Sequence, residues 1–292
     1  MKITSYFKTV AAAVTSVVLL AGCGASADNN SSNATGASNG KPIVLKVGAN
    51  PTPHAEILDY VKPKLAKEGI DLEVVVYQDY IQPNRALASG DLDANYFQHV
   101  PYLNDYNKKN GTDLVPTVSV HFEPLGLYAG RSKSLTNVKD GATVAVPNDT
   151  TNEARALLLL QDAGLIQLKD PNSLSETVQD IVQNPHHLKI QELEAGTIPR
   201  VLRDVDYAVI NGNYAIDAGL KPSEALYSEK ADSLAAKTYA NCVVVRKGDE
   251  NKPAIQALDK ALTSPDVAAY IKSHFQGAVV PVFDAIQPTS SK

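Results

Sequence analysis

The sequence predicts an α/β fold in which strands and helices alternate and the strands run mainly parallel. Two observations carry this. Short β-branched runs are separated by stretches whose apolar residues recur every three or four positions, the pattern of strand–helix units. Polar clusters follow the strand-like runs, where open sheets of this kind bind ligands.

Taken in order, residues 43–47 read as a strand, followed by the turn Ala49-Asn50-Pro51-Thr52-Pro53. A helix then runs to Lys67, with Ile57, Val61 and Leu65 on one face and Gly69 at the position of a C-terminal cap. Pro63 falls inside it and predicts a kink or a fresh helix start. Residues 71–77 form a β-branched strand, Pro83 opens a short helix ending at Gly90, and 92–97 is extended. Beyond these come a strand at 142–146, a helix over 151–163, strands at 207–210 and 242–245, and helices starting near Pro253 and Pro265. The polar clusters are Asn50, 77–80, 96–99, 148–155 and 211–214.

The N-terminus has its own chemistry. Lys2 and Lys8 precede the apolar stretch 10–21, which has the length of a secretion signal and is too short to span a bilayer. It ends in Leu20-Ala21-Gly22-Cys23, which resembles the lipobox of bacterial lipoproteins. That resemblance implies a signal peptide over 1–22, cleavage before Cys23 and lipidation of its sulfur. A plain secretory signal with an incidental cysteine is the alternative. The segment 23–41 is rich in Asn, Ser, Gly and Ala and has no apolar period, so it reads as a flexible tether.

Roughly 250 residues remain from Lys41 onward, enough for one large or two medium domains. With 44% hydrophobic and 20% charged residues, a net charge of −5 and no basic run, the chain has no footprint for nucleic acid. Cys242, inside an apolar run, is expected to be a buried inert thiol, and no structural disulfide is expected. The sequence contains no Gly-rich phosphate loop, HExxH, G-x-S-x-G or paired-cysteine metal site, so no cofactor, metal or catalytic residue is expected. A metal site gathering His54, His99 and His121 in space would still need carboxylate help. His186-His187 after Pro185 reads as a solvated turn.

Candidate binding residues lie in the polar clusters. Asn148-Asp149-Thr150 ends a strand and opens a helix, and Thr150 with Glu153 fits a capping box. Asn152 and Arg155 follow in the first turns, and the run 157–160 wraps the helix in apolar surface, so it should be deeply packed. An arginine there needs an anion, either a ligand carboxylate held by two hydrogen bonds or an internal Asp or Glu. Tyr77, Tyr80, Tyr96, Phe97, His99 and Tyr102 concentrate aromatic rings. They form either a core edge or a pocket suited to a thioether, which makes favourable contacts with ring edges. Strand alternation puts Phe97 and His99 on one face, Tyr96 and Gln98 on the other. Asn211, Asn213 and Asn241 offer amides that both donate and accept, as a zwitterion requires, although asparagines at the first two positions also suit a turn. Gly212 between them permits close backbone approach.

The segments YQDYIQPNRALASGDLDANYFQHVPYL (77–103), VAVPNDTTNEARALLLLQDAGLI (144–166), LKIQELEAGTIPRVLRDVDYAVINGNYA (188–215) and FQGAVVPVF (275–283) together resemble the NlpA/MetQ family of methionine-binding lipoproteins. They spread in family order over nearly the whole chain after the tether. The resemblance implies a type II periplasmic-binding-protein fold: two α/β lobes joined by two crossovers, closing on a ligand in the cleft. Lobe 1 would hold 42–130 plus 240–292, and lobe 2 would hold 131–239. It implies that Arg155 holds the α-carboxylate of an amino acid, and that Asn211 and Asn241 contact its backbone. Tyr80, Phe97, His99 and Tyr102 would approach the ligand side chain. His121 is a further candidate at a position where family members vary. The departures at Gly212 and Asn213 leave the substrate open among methionine, methionine-containing dipeptides and other amino acids. The implied partners are an ABC permease and its ATPase, with the membrane reached through the lipid. An extracytoplasmic enzyme is disfavoured by the lack of a nucleophile–base pair, and a surface adhesin or signalling lipoprotein is the third class.

The anchor is directly testable. Replacing Cys23 with Ser should leave ligand binding intact and release the protein from the membrane. Retention of Cys23→Ser in the membrane fraction after a carbonate wash would argue against lipidation.

Overall fold

The computed structural model describes residues 41–286, which form two large sheets with separate apolar cores and one two-stranded antiparallel ribbon. The signal segment 1–22, Cys23 and the tether up to Gly40 lie outside the described residues, as do 287–292. Among the described residues no helix is long and apolar enough to cross a membrane.

The chain begins with β1 (Ile43–Ala49), α1 (Glu56–Lys67), β2 (Ile70–Val76), α2 (Gln82–Ser89), β3 (Ala94–His99), α3 (Val100–Asn110) and β4 (Leu114–Phe122). It then crosses to β5 (Gly126–Ala129), β6 (Thr143–Pro147), α4 (Thr150–Asp162), β7 (Gln167–Leu168), β8 (Ile181–Gln183) and β9 (Lys189–Leu193). That half continues with α5 (Ile198–Val201), β10 (Tyr207–Ile210), α6 (Gly212–Asp217), β11 (Ala225–Ser228) and α7 (Leu234–Thr238). The return brings β12 (Asn241–Arg246), α8 (Pro253–Leu262), α9 (Pro265–Phe275) and β13 (Val280–Pro281).

Helix α1 buries Ile57, Leu58, Val61 and Leu65 against the first sheet, and Gly69 at φ +78° ends its turn. The helix runs on through Pro63 without a fresh start. Pro63 lies on the exposed face, where water can satisfy the carbonyl that loses its partner. Helix α2 ends at Gly90 in the left-handed region, as its sequence predicts.

The six-stranded sheet has the order β13-β4-β12-β3-β1-β2, and the five-stranded sheet the order β11-β5-β10-β6-β9. They are mixed rather than mainly parallel. β1 pairs parallel with β2 and β3, and β6 with β9 and β10, because helices connect those units. β12 runs antiparallel to β3 and β4, and β5 antiparallel to β10 and β11. β5 follows β4 across the first crossover with no helix between them, and β12 enters across the second crossover, two residues after α7.

The first crossover falls earlier than the expected boundary at residue 130. Pro124 lacks the N–H that a ladder needs, so β4 stops at Phe122 and Gly126–Ala129 already pair in the second sheet. The chain returns at Asn241, the first residue of β12.

β3 is central in its sheet, and all six of its residues are buried. Tyr96 joins the first core, while Phe97 and His99 face the cleft. Asn84, Asn95 and Gln98 close a buried ring of amide hydrogen bonds that joins β3 to α2, at 2.6–2.9 Å. Cys242 is a buried free thiol whose Sγ donates to Gln98 O at 3.3 Å, and burial pushes its pKa up to about 12.

The apolar run on α4 is packed unevenly. Leu157, Leu159 and Leu160 are buried in the second core, whereas Leu158 is half-buried. Leu160→Ala should therefore cost about 2–5 kcal/mol, and Leu158→Ala well below that range. Urea unfolding midpoints of the two variants check this, and equal shifts would contradict the packing described.

Candidate functional site

A narrow cavity lies between the two sheets. Its aromatic wall is Tyr80, Phe97 and Tyr102; its polar wall includes His99, Asn152, Arg155, Asn211, Asn213 and Asn241. Gln98, Glu123 and Gly212 complete the lining.

The polar wall is ordered by a chain of hydrogen bonds. Helix α4 is capped by Asp149, which accepts from Asn152 N at 3.0 Å; Thr150 is the first helical residue and not the cap. The capping box expected from Thr150 and Glu153 is absent because Thr150 is already helical, and Glu153 instead accepts from Val178 N at 3.1 Å. Asn152 Nδ2 lies 3.0 Å from both Asp149 oxygens. Asn152 Oδ1 is 3.0 Å from Asn211 Nδ2 and 3.3 Å from His99 Nε2. His99 in turn caps α3, its Nδ1 accepting from Tyr102 N at 3.2 Å. The proton of its neutral ring therefore sits on Nε2.

Arg155 is 4% exposed, so its charge requires a partner inside the protein. That partner is Glu229: Nε donates to Oε1 at 2.8 Å and Nη2 to Oε2 at 2.5 Å. The two-pronged carboxylate contact allowed for a ligand is thus made internally, the other possibility left open by the sequence. Nη2 also donates to Glu123 O at 3.0 Å, and the guanidinium lies 4.3 Å over the Tyr239 ring. Nη1 has no hydrogen-bond partner among the described residues, and Arg155 borders the cavity. Burial works against the charge, but the field and hydrogen bonds of Glu229 outweigh it and raise the Arg155 pKa.

Behind the cavity sits a second buried group. Tyr96 OH hydrogen-bonds His121 Nδ1, and His121 Nε2 lies 2.6 Å from Glu123 Oε1. His54 Nε2 is 2.9 Å from Asn241 Oδ1 and 3.5 Å from Glu123 Oε1. Two histidines and a carboxylate are a conceivable metal set. The 2.6 Å contact is a hydrogen bond, however, since tetrahedral zinc holds its ligand atoms about 3.3 Å apart. Burial depresses the His54 pKa to about 4 and that of His121 to about 3, so both rings are neutral near pH 7. Burial likewise raises the Glu123 pKa, against the opposing pull of His54, the Asn213 N–H and Arg155. A Cβ on Gly212 would lie 2.6 Å from Glu123 Cβ, so that glycine allows α6 to approach the carboxylate.

On the aromatic wall, Tyr80 OH donates to Asn213 Oδ1 at 2.5 Å, and Tyr102 OH donates to Tyr80 O at 2.9 Å. The rings of Tyr80, Phe97 and Tyr102 lie about 6 Å apart, centroid to centroid, in tilted and edge-on arrangements. Two buried amide atoms on the cavity-lining residues lack partners: Asn211 Oδ1, an acceptor, and Asn213 Nδ2, a donor.

The structure brings nine of the ten sequence candidates to this cavity: Tyr80, Phe97, His99, Tyr102, Asn152, Arg155, Asn211, Asn213 and Asn241. His121 is the exception, fully buried one layer behind Glu123, where it bonds Tyr96 and the Glu123 carboxylate. The metal constellation considered from sequence does not assemble either: His99 stands with Asn152, while His54 and His121 share Glu123. Glu123 is the lining residue the sequence reading passed over. The one local signal was a carboxylate beside Pro124, at the end of an apolar strand.

The family model for NlpA lipoprotein matches residues 45–283. The D-methionine-binding lipoprotein MetQ of Salmonella typhi is 41% identical over 281 residues, covering 94% of this chain and 97% of that one. The structure of a nutrient binding protein from Burkholderia cenocepacia bound to methionine is similar, with a TM-score of 0.78 and 45% identity, covering 82% of this chain and 100% of that one. So is a periplasmic substrate-binding protein of an ABC transporter from Coxiella burnetii, with a TM-score of 0.76 and 43% identity over 82% and 100% of the two chains.

The buried imidazoles give a pH signature. Burial lowers the His99 pKa to about 3, aided by the Arg155 charge, so His54, His99 and His121 all resist protonation in the folded state. Unfolded histidine takes its proton near pH 6.5, so the unfolded chain binds more protons between about 6.5 and 4. Stability is therefore full above about pH 6.5 and falls as pH drops, by up to about 1.4 kcal/mol per pH unit for each ring. Glu123 acts in the opposite sense, its raised pKa adding stability that is lost as pH rises through it. Melting temperatures measured from pH 7 to pH 4 should fall, and less steeply in His99→Gln. A flat profile would contradict the neutral buried rings.

Proposed function

The chain belongs to the NlpA lipoprotein family, and on that premise we propose that it is the binding component of an ABC importer for methionine or a closely related amino acid or methionine-containing dipeptide. The observation that carries this reading is the polarity of the cavity. Asn211 Oδ1 and Asn213 Nδ2 are an unpartnered acceptor and an unpartnered donor on one buried wall, as the two ends of a zwitterion require. Arg155 Nη1 adds a charged donor for the carboxylate, and Glu123 a carboxylate for the ammonium. The aromatic wall of Tyr80, Phe97 and Tyr102 suits a thioether, which gains from contact with ring edges.

Binding here means holding and releasing, and the reaction is transport rather than catalysis. Arg155, Asn211 and Asn213 belong to the half built on the second sheet, and Phe97, His99 and Tyr102 to the half built on the first. A ligand touching both favours the closed arrangement through that differential contact alone. Cys23, lipidated, would tether the body on the extracytoplasmic face, where the partners are a membrane permease and its ATPase.

Titration calorimetry against free amino acids and methionine dipeptides tests the proposal. Arg155→Ala should weaken methionine by about 2–5 kcal/mol, partly because Glu229 is left buried without its counter-charge. Phe97→Ala should weaken methionine more than alanine or serine, since the lost contacts are with the long side chain. Wild-type affinity in Arg155→Ala, or equal losses for all three amino acids in Phe97→Ala, would overturn this assignment of the cavity.

A further inference from the structure

Asp149 does not line the cavity, yet its carboxylate fixes the direction of amides that do. It caps the 13-residue helix α4 and accepts from Asn152 N and Thr151 Oγ1 at 3.0 and 3.2 Å. Both of its oxygens also lie 3.0 Å from Asn152 Nδ2. An ionised carboxylate only accepts, so Asn152 must turn its NH₂ group toward Asp149 and its Oδ1 away. That oxygen meets Asn211 Nδ2 at 3.0 Å and His99 Nε2 at 3.3 Å. His99 cannot reverse the order, because its Nδ1 is committed to the N–H of Tyr102. Asn211 must then spend its NH₂ group on Asn152, which leaves its Oδ1 as a buried acceptor without a partner.

We propose that Asp149 is a positioning residue which, acting through Asn152, presents Asn211 Oδ1 as an acceptor and so selects ligands that carry an ammonium group. The inference rests on the amino-acid reading of the cavity. It adds that ligand polarity is set from outside the contact layer, by a group that touches no ligand. With an amide at position 149 the order is no longer enforced. Asn152 can then offer its oxygen to residue 149 and its NH₂ group to Asn211, and Asn211 can turn a donor toward the ammonium.

Asp149→Asn separates this role from helix capping, since asparagine caps as well as aspartate. The probes are methionine and its desamino analogue, 4-(methylsulfanyl)butanoic acid, measured by calorimetry. The wild type should prefer methionine. In Asp149→Asn, affinity for methionine should fall roughly ten- to hundredfold, as for a lost hydrogen bond to a charged group. The analogue should hold or gain, with the melting temperature near that of the wild type. Asp149→Ser supplies a second capping variant, whose hydroxyl is too short to hold the Asn152 amide, and it too should narrow the preference. If methionine binds the wild type and both folded variants keep its preference for the ammonium, Asp149 has no such role. If the wild type binds methionine no better than the analogue, the amino-acid reading itself fails, and this inference with it.

Discussion

The buried pair of Arg155 and Glu229 is the constraint around which the rest of the molecule is arranged. Glu229 Oε2 also accepts from Leu125 N at 2.8 Å, so the carboxylate ties the first crossover to helix α4. The guanidinium reaches Glu123 O on that crossover and stacks on Tyr239, which leads into the second. One ion pair therefore fixes both connections between the sheets and one wall of the cavity. Charges this deeply desolvated need close partners, which explains the density of bonds around Nε, Nη2 and the Glu229 carboxylate. The remaining Nη1 is then a charge held in place before any ligand arrives, so little reorganisation is needed on binding.

The same logic accounts for the neutral histidines. His54, His99 and His121 lie in surroundings that a proton would destabilise, and each instead works as a directed hydrogen-bonding group. The site's net polarity thus depends on one cation and the nearby carboxylates, while the imidazoles and amides set the orientation of what they hold.

What the sequence made legible was local. An arginine inside an apolar helix announced a buried charge, the cap positions of Gly69 and Gly90 ended their helices, and the aromatic cluster from Tyr80 to Tyr102 located one wall. What it left hidden depends on contacts far apart in the chain. Glu229 lies 74 residues from Arg155, and no spacing connects them. Strand direction was misjudged because β5 and β12 enter from crossovers, which carry no periodic signal. Helix α3 was missed because only Leu103 is buried on it, so it shows no apolar stripe. β4 escaped notice too: Val118-Ser119-Val120-His121-Phe122 alternates as a strand should, but Pro116 inside the run argues against one. Asp149 displaced Thr150 as the cap because its longer reach also satisfies the Asn152 side chain.

Cys242 gives the molecule an internal reporter. Its sulfur is sealed between β3 and β4, bonded to the carbonyl of Gln98, and pushed far from the thiolate form that reacts. Reagents that modify thiols can reach it only when the central strands of the first sheet part. The rate of its modification then times the breathing of the sheet that carries Phe97 and His99, and a ligand that bridges the cleft slows that clock by the free energy it adds to the closed, intact protein.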